Sequence, residues 1–120
     1  MNEIAIRFLS RCFAPDETIA LLLRRQTANA PMQRIVRMER VMEFRYMAWL
    51  SHENNSGDSN IYVAANPLRP GTRKRTKESI ASIRHLYLDI DTDGDARLCA
   101  LQASDLVPPP TSIVSTSQGK

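Results

Sequence analysis

Apolar residues recur along the first half of the chain at two different spacings. Over residues 3–13, Ile4, Ala5, Phe8, Leu9, Cys12 and Phe13 share one helical face, and Pro15 stops that helix. Thr18 to Leu23 is a continuous apolar run. Its leucines favour a helix and its shortness favours a buried strand. Gln33-Arg34-Ile35-Val36-Arg37 reads as a short strand or as a turn into the next element. The clearest helix covers 38–52, where Met38, Val41, Met42, Tyr46, Trp49 and Leu50 form one stripe interrupted by Arg45. Such a stripe is core. Asn54 to Ser59 is a turn by composition, and Asn60 to Ala65 is a β-rich strand closed by Asn66-Pro67.

In the second half, residues 69–75 form a basic loop containing Pro70 and Gly71, and Thr76 to Ser82 predicts a short helix. From His85 to Asp91 the pattern alternates with a period of two. Leu86, Leu88 and Ile90 face one way, and His85, Tyr87, Asp89 and Asp91 the other, as on a strand. Ala96 to Ala103 predicts a helix, Pro108-Pro109-Pro110 a break, and Thr111 to Thr116 a last strand. Ser117-Gln118-Gly119-Lys120 is a polar turn of the kind that leads back into a sheet, so the domain is expected to be truncated there. Helices and strands interspersed in this way give an α+β fold, with no internal repeat.

A chain of 120 residues suffices for one small domain with one core, spanning 1–120. No run approaches the ~18 apolar residues of a membrane span, and Glu3, Arg7 and Arg11 interrupt any leader-like pattern at the start. A cytoplasmic protein with no membrane partner is expected. Cys12 and Cys99 sit in apolar helical patterns and read as buried free thiols. The net charge of +3 decides little, but its distribution does more. Arg69, Arg73, Lys74, Arg75, Lys77 and Arg84 lie close together in sequence, opposed only by Glu78, and an acidic cluster follows at once. A basic segment beside an acidic one suits the holding of a polyanion near metal ions.

The acidic cluster is Asp89, Asp91, Asp93 and Asp95. Counted from Asp89, it matches a calcium loop at positions 1, 3, 5 and 6, but position 12 is Ala100, which has no side-chain oxygen. A D-x-D on a strand fits a different site. Alternate carboxylates share a face, with Cα atoms roughly 6.5–7 Å apart, and can hold one or two divalent ions. Asp93, Gly94 and Asp95 then form a turn that caps the following helix. A cluster of solvated turn acids is the other reading. No phosphate-binding loop competes: no G-x-G-x-x-G occurs, and Val114 stands where a Walker loop needs its first glycine. With only His52 and His85, a histidine-rich zinc site is not expected.

Several short motifs occur in one order: Asn60-Ile61-Tyr62-Val63, Asn66-Pro67-Leu68, Arg75-Thr76-Lys77, Arg84-His85-Leu86-Tyr87-Leu88-Asp89-Ile90-Asp91, and Pro110-Thr111 leading to Ser115-Thr116-Ser117-Gln118-Gly119-Lys120. The series resembles the RepB-like DNA primase domain of plasmids and mobile elements, within the archaeo-eukaryotic primase superfamily. The resemblance implies an RRM-like sheet bearing the active site, and a nucleotidyltransferase that makes primers from nucleoside triphosphates on a single-stranded DNA template. It implies Mg²⁺ or Mn²⁺ held by catalytic Asp89 and Asp91, and nucleotide binding by Ser117, Gln118, Gly119 and Lys120. Arg73, Lys74, Arg75 and Lys77 are the expected phosphate or nucleic-acid contacts, and a replicative helicase in cis or trans the expected further partner. The family's later acidic and polar motifs lie beyond Lys120. A rival reading is a non-catalytic DNA-binding piece of a replication initiator that uses the basic loop 69–77. A D-x-D nuclease is a third, because the same ions serve hydrolysis.

Overall fold

A computed structural model describes residues 3–25, 30–87, 90, 92–110 and 113. They form a mixed α+β structure with one three-stranded antiparallel sheet and four α-helices among the described residues. The chain divides into two compact units, Met1–Leu86 and Tyr87–Lys120.

In the first unit, helix α1 (Glu3–Cys12) turns Leu9 inward and ends before Phe13, whose N–H donates to the Leu9 carbonyl at 3.0 Å. Ile4 lies outside its buried face, being exposed. Strand β1 (Thr18–Arg25) is the apolar run left open above. It is a strand because it pairs on both sides, so tertiary pairing overrides the helical preference of its leucines. Strand β2 (Met32–Arg37) flanks it with Leu21 opposite Arg34, and strand β3 (Ser59–Val63) with Leu21 opposite Val63, giving the order β2-β1-β3.

The stripe over 38–52 is not one helix. It breaks into α2 (Met38–Val41) and α3 (Phe44–Asn55), with Glu43 extended at ψ 141° between them. The spacing explains the break. Met38 and Val41 are buried, and so are Met47 and Leu50, nine residues later in each case. At about 100° per residue, nine residues turn a straight helix by roughly half a revolution too far, so one pair would face solvent. The break lets both pairs meet Ile19, Leu21 and Leu23 of β1, and it leaves Phe44 87% exposed. The first N–H groups of α2 find acceptors in the loop between α1 and β1, Met38 on the Glu17 carbonyl and Glu39 on the Pro15 carbonyl, both at 2.8 Å.

Helix α3 ends tightly. The His52 carbonyl accepts from Ser56 at 2.8 Å and from Gly57 at 3.1 Å. A Cβ at Gly57 would lie 2.8 Å from Glu53 Oε2 and 3.0 Å from its carbonyl, so a larger residue there would force the Glu53 side chain and the helix end to shift. Glu53 is buried and pairs with Arg25 of β1 at 2.8 Å. The Arg25 guanidinium, more than anything else around it, holds the Glu53 carboxyl below the usual range.

The second unit holds helix α4 (Gly94–Ala103), two residues longer at its start than the pattern predicts. Asp93 occupies its N-cap with φ 50°, and Arg97 N–H donates to the Asp93 carbonyl at 3.0 Å, but the Asp93 side chain makes no capping bond. Gly94 is the one buried residue of this helix. Cys99 is exposed and Cys12 half-buried, both free, which corrects the reading of two buried thiols. Of the last predicted strand, Ile113 is exposed and irregular, and the rest lies outside the described residues. No described helix is long and apolar enough to cross a membrane.

Candidate functional site

The segment that precedes the D-x-D in sequence is anchored at the edge of the sheet. Past β3, Ala64 still donates to the Ala20 carbonyl at 3.0 Å, and Leu68 returns to donate to the Thr18 carbonyl at 2.7 Å. A second layer adds on. Arg69 N–H donates to the Ser79 carbonyl at 2.7 Å and Ala81 N–H to the Pro67 carbonyl at 3.0 Å. Residues 79–81 thus run beside 67–69, outside the named strands.

Beyond Ala81 the ladder stops, and side chains take over. Asn66 Oδ1 accepts from the backbone N–H of Arg84 at 2.8 Å and of His85 at 2.9 Å. The His85 Nδ1 meets the Ala65 carbonyl at 2.5 Å, which makes Nδ1 the protonated nitrogen, and the ring packs edge-on against Phe13 at 5.8 Å. Arg84 pairs with Glu17, whose Oε1 also accepts from Ala14 N–H at 2.7 Å. Burial pushes the Glu17 carboxyl up, but the hydrogen bonds from Arg84 and Ala14 and the nearby positive charge outweigh it and hold the group below its usual range.

The strand predicted over 85–91 is therefore not found where the residues are described. Residues 81–87 carry no strand, and Leu86 is 93% exposed rather than turned into a core. The physical reason lies in the hydrogen bonds: the N–H groups of 84 and 85 go to one asparagine side chain instead of a neighbouring strand. Alternation without a partner strand buries nothing. Leu88, Asp89 and Asp91 lie outside the described residues, and so do Ser117, Gln118, Gly119 and Lys120. Among the described residues no group of three or more His, Cys, Asp or Glu side chains comes together as a metal site.

The basic loop is described throughout. Gly71 sits at φ 79°, a left-handed position that suits glycine, and Thr72 N–H closes the turn onto the Arg69 carbonyl at 3.2 Å. The helix predicted over 76–82 shrinks to a 3₁₀ turn at Lys77–Ser79. The Ser79 hydroxyl holds it, donating to the Lys74 carbonyl at 2.8 Å and lying 2.7 Å from Thr76 Oγ1. Arg73, Lys74, Arg75 and Lys77 are all exposed, and none takes part in the ion pairs found among the described residues. Arg75 differs from the others in that it borders the sheet. With Ala20, Leu22, Gln33 and Tyr62 it lines a cavity of about 80 Å³.

Sequence reasoning gave Asn66 and Glu17 no structural part in anchoring the approach to the acidic pair. An Asn-Pro directly after a strand is a signal in principle, because its side-chain carbonyl can replace a missing ladder partner. Glu17 gave no signal, since its partner is 67 positions away.

Compared with known families, residues 26–120 match the model of the RepB DNA-primase N-terminal domain. No curated protein and no solved structure matches the chain significantly.

Proposed function

This chain belongs to the family of RepB DNA-primase N-terminal domains, and from that membership we propose that it serves metal-dependent, template-directed primer synthesis in the replication of a plasmid or mobile element. The observation that carries the reading is the extent of the family match, which takes in the basic loop, the D-x-D and Ser117 to Lys120. In this reading the sheet β2-β1-β3 belongs to an RRM-like primase fold.

Asp89 and Asp91 hold Mg²⁺ or Mn²⁺. Their donor set fits: two carboxylates at alternate positions are hard oxygen ligands, which these ions prefer over nitrogen or sulfur. Bound there, the ions supply neutralisation of charge on the reacting phosphates. The chain's own residues do the rest. Arg73, Lys74, Arg75 and Lys77 take phosphates of template or triphosphate, a role supported by their exposure and by their taking part in none of the ion pairs found among the described residues. Ser117 to Lys120 contact the nucleotide. Asn66 is a positioning residue, fixing the backbone at Arg84 and His85 just ahead of the acidic pair in sequence. Single-stranded DNA and nucleoside triphosphates are the partners, with a replicative helicase in cis or trans.

The same free cations favour a second reading, a DNA-binding domain that ignores the aspartates. Titration calorimetry separates the two. Mn²⁺ and a nucleoside triphosphate are titrated separately and together into the chain and its Asp89→Asn, Asp91→Asn double variant. The primase reading expects nucleotide binding that needs the metal and disappears in the double variant. Binding that is unchanged in chelator, or equal in the double variant, leaves only the DNA-binding reading.

A further inference from the structure

The helices of the first unit share their core with one face of the sheet; on the other face Thr18 and Ala20 are buried, but the end that carries Leu22 and Arg24 is progressively exposed. Alternation from Ile19, Leu21 and Leu23, which enter the core, turns Leu22 and Arg24 to the open side. Register sets Gln33 of β2 and Tyr62 of β3 on either side of Leu22, and Asn60 of β3 beside Arg24. On the edge strand of this face, beside Leu22, stands an exposed aromatic ring, for Tyr62 is 51% exposed. Cations flank it, Arg24 in the next row and Arg75 at the rim of the cavity that Tyr62 lines. None of the three strands contains an acidic residue. The cavity, about 80 Å³, has room for a few waters and not for a buried ring, so a planar ligand would lie on Tyr62 rather than sink beneath it.

An aromatic ring between cations on a half-polar sheet face has the chemistry of a single-stranded nucleic-acid platform. The ring stacks a base, the cations track the phosphates, and amide side chains reach base edges. A protein partner would meet strands without an acidic residue, and a single nucleotide would stack one base but would not call on two arginines and two amide side chains spread over neighbouring rows of the face. We propose that the open face of β2-β1-β3 binds single-stranded DNA, with one base stacked on Tyr62, phosphates on Arg24 and Arg75, and Gln33 and Asn60 at the base edges. The proposal rests on the primase reading for its choice of nucleic acid, but it uses neither aspartate and no metal.

The test is fluorescence anisotropy with labelled oligothymidylate, and with an abasic strand of the same length, both in chelator. Tyr62→Ala should weaken oligothymidylate binding roughly 5- to 150-fold, the worth of one stacked base. Tyr62→Phe keeps the ring and should stay within about threefold of wild type. On the abasic strand wild type and Tyr62→Ala should bind alike. Arg75→Ala should weaken both strands and lower the salt slope by about one. The proposal is overturned if Tyr62→Ala binds oligothymidylate like wild type, if it loses affinity equally for the abasic strand, or if wild type binds neither. Binding that requires Mn²⁺ and fails in the Asp89→Asn, Asp91→Asn double variant also overturns it while leaving the primase reading intact. The converse, metal-free binding that depends on Tyr62 together with metal-independent nucleotide binding in the calorimeter, retains the platform and removes the primase.

Discussion

The two units of this chain hold their helices by different means. In Met1–Leu86, helices α1, α2 and α3 each contribute buried apolar residues to one core, which also holds Ile19, Leu21 and Leu23 of β1. In Tyr87–Lys120, α4 buries a glycine and leaves Leu98 and Leu101 half-covered, while Leu106 is 94% exposed. Helix formation alone is weak over ten residues, and among the described residues α4 buries less apolar surface to reinforce it than the helices of the first unit do. The difference teaches where this protein keeps its rigidity. The sheet and its edge are fixed, and the acidic pair follows in sequence directly after the last anchored residues.

The largest effect that sharpens this comparison is in the core. Leu21→Ala should cost about 2–5 kcal/mol, because removing a fully buried leucine leaves a cavity in the core shared by the sheet and the helices. Leu98→Ala in α4 should cost under about 1 kcal/mol. Urea denaturation of both variants measures the gap, and equal costs would break the contrast between the units.

Next comes the anchor at the sheet edge. Asn66→Ala removes an acceptor from two N–H groups and should cost about 1–3 kcal/mol. Amide exchange should accelerate at Arg84 and His85 and stay unchanged in α4. Asn66→Asp keeps the acceptor oxygen and should restore much of the protection. Unchanged exchange in Asn66→Ala would show that the clamp does not hold this segment.

The smallest effect is acid sensitivity. Glu17 and Glu53 both titrate below the ordinary value of 4.5 when folded. Their unfolded forms therefore take up protons first. The stability they contribute is fully present above about 4.5 and is lost as the pH falls through their depressed folded values. Both carboxylates lie in the first unit. Replacing them with glutamine should flatten the acid limb of its unfolding, followed by circular dichroism, without altering α4.

Much of this was legible in the residues. The β-rich strand after Ser59 and the helix before Pro15 needed only composition, spacing and breakers, although the turn read at 54–59 is shorter, since α3 runs through Asn55 and β3 spans Ser59–Val63. The ordered motifs pointed to the family that residues 26–120 match. Besides the strand read over 85–91, the helix read over 76–82 and the burial of the two thiols, two features of the core were not legible. The Thr18–Leu23 run was ambiguous because only pairing on both sides decides it. The break at Met42-Glu43 hid inside a plausible stripe, since Met38 and Val41 look in phase with Tyr46 and Trp49 until the burial of Met47 and Leu50 is known. The candidate site divides in the same way. Cations 73–77 were plain from charge, whereas Tyr62 read only as a strand residue, and its place beside Leu22 and Arg75 depends on register and on a loop that no local pattern predicts.

The central claim is that Asp89 and Asp91 form the metal site. The most direct measurement is nuclear magnetic resonance of the isotope-labelled chain as Mn²⁺ is added. The account predicts that amide signals of residues 88–92 broaden first, before those near Glu17 or Glu53, and that the Asp89→Asn, Asp91→Asn double variant loses this early broadening. Early broadening elsewhere, persisting in the double variant, would contradict it.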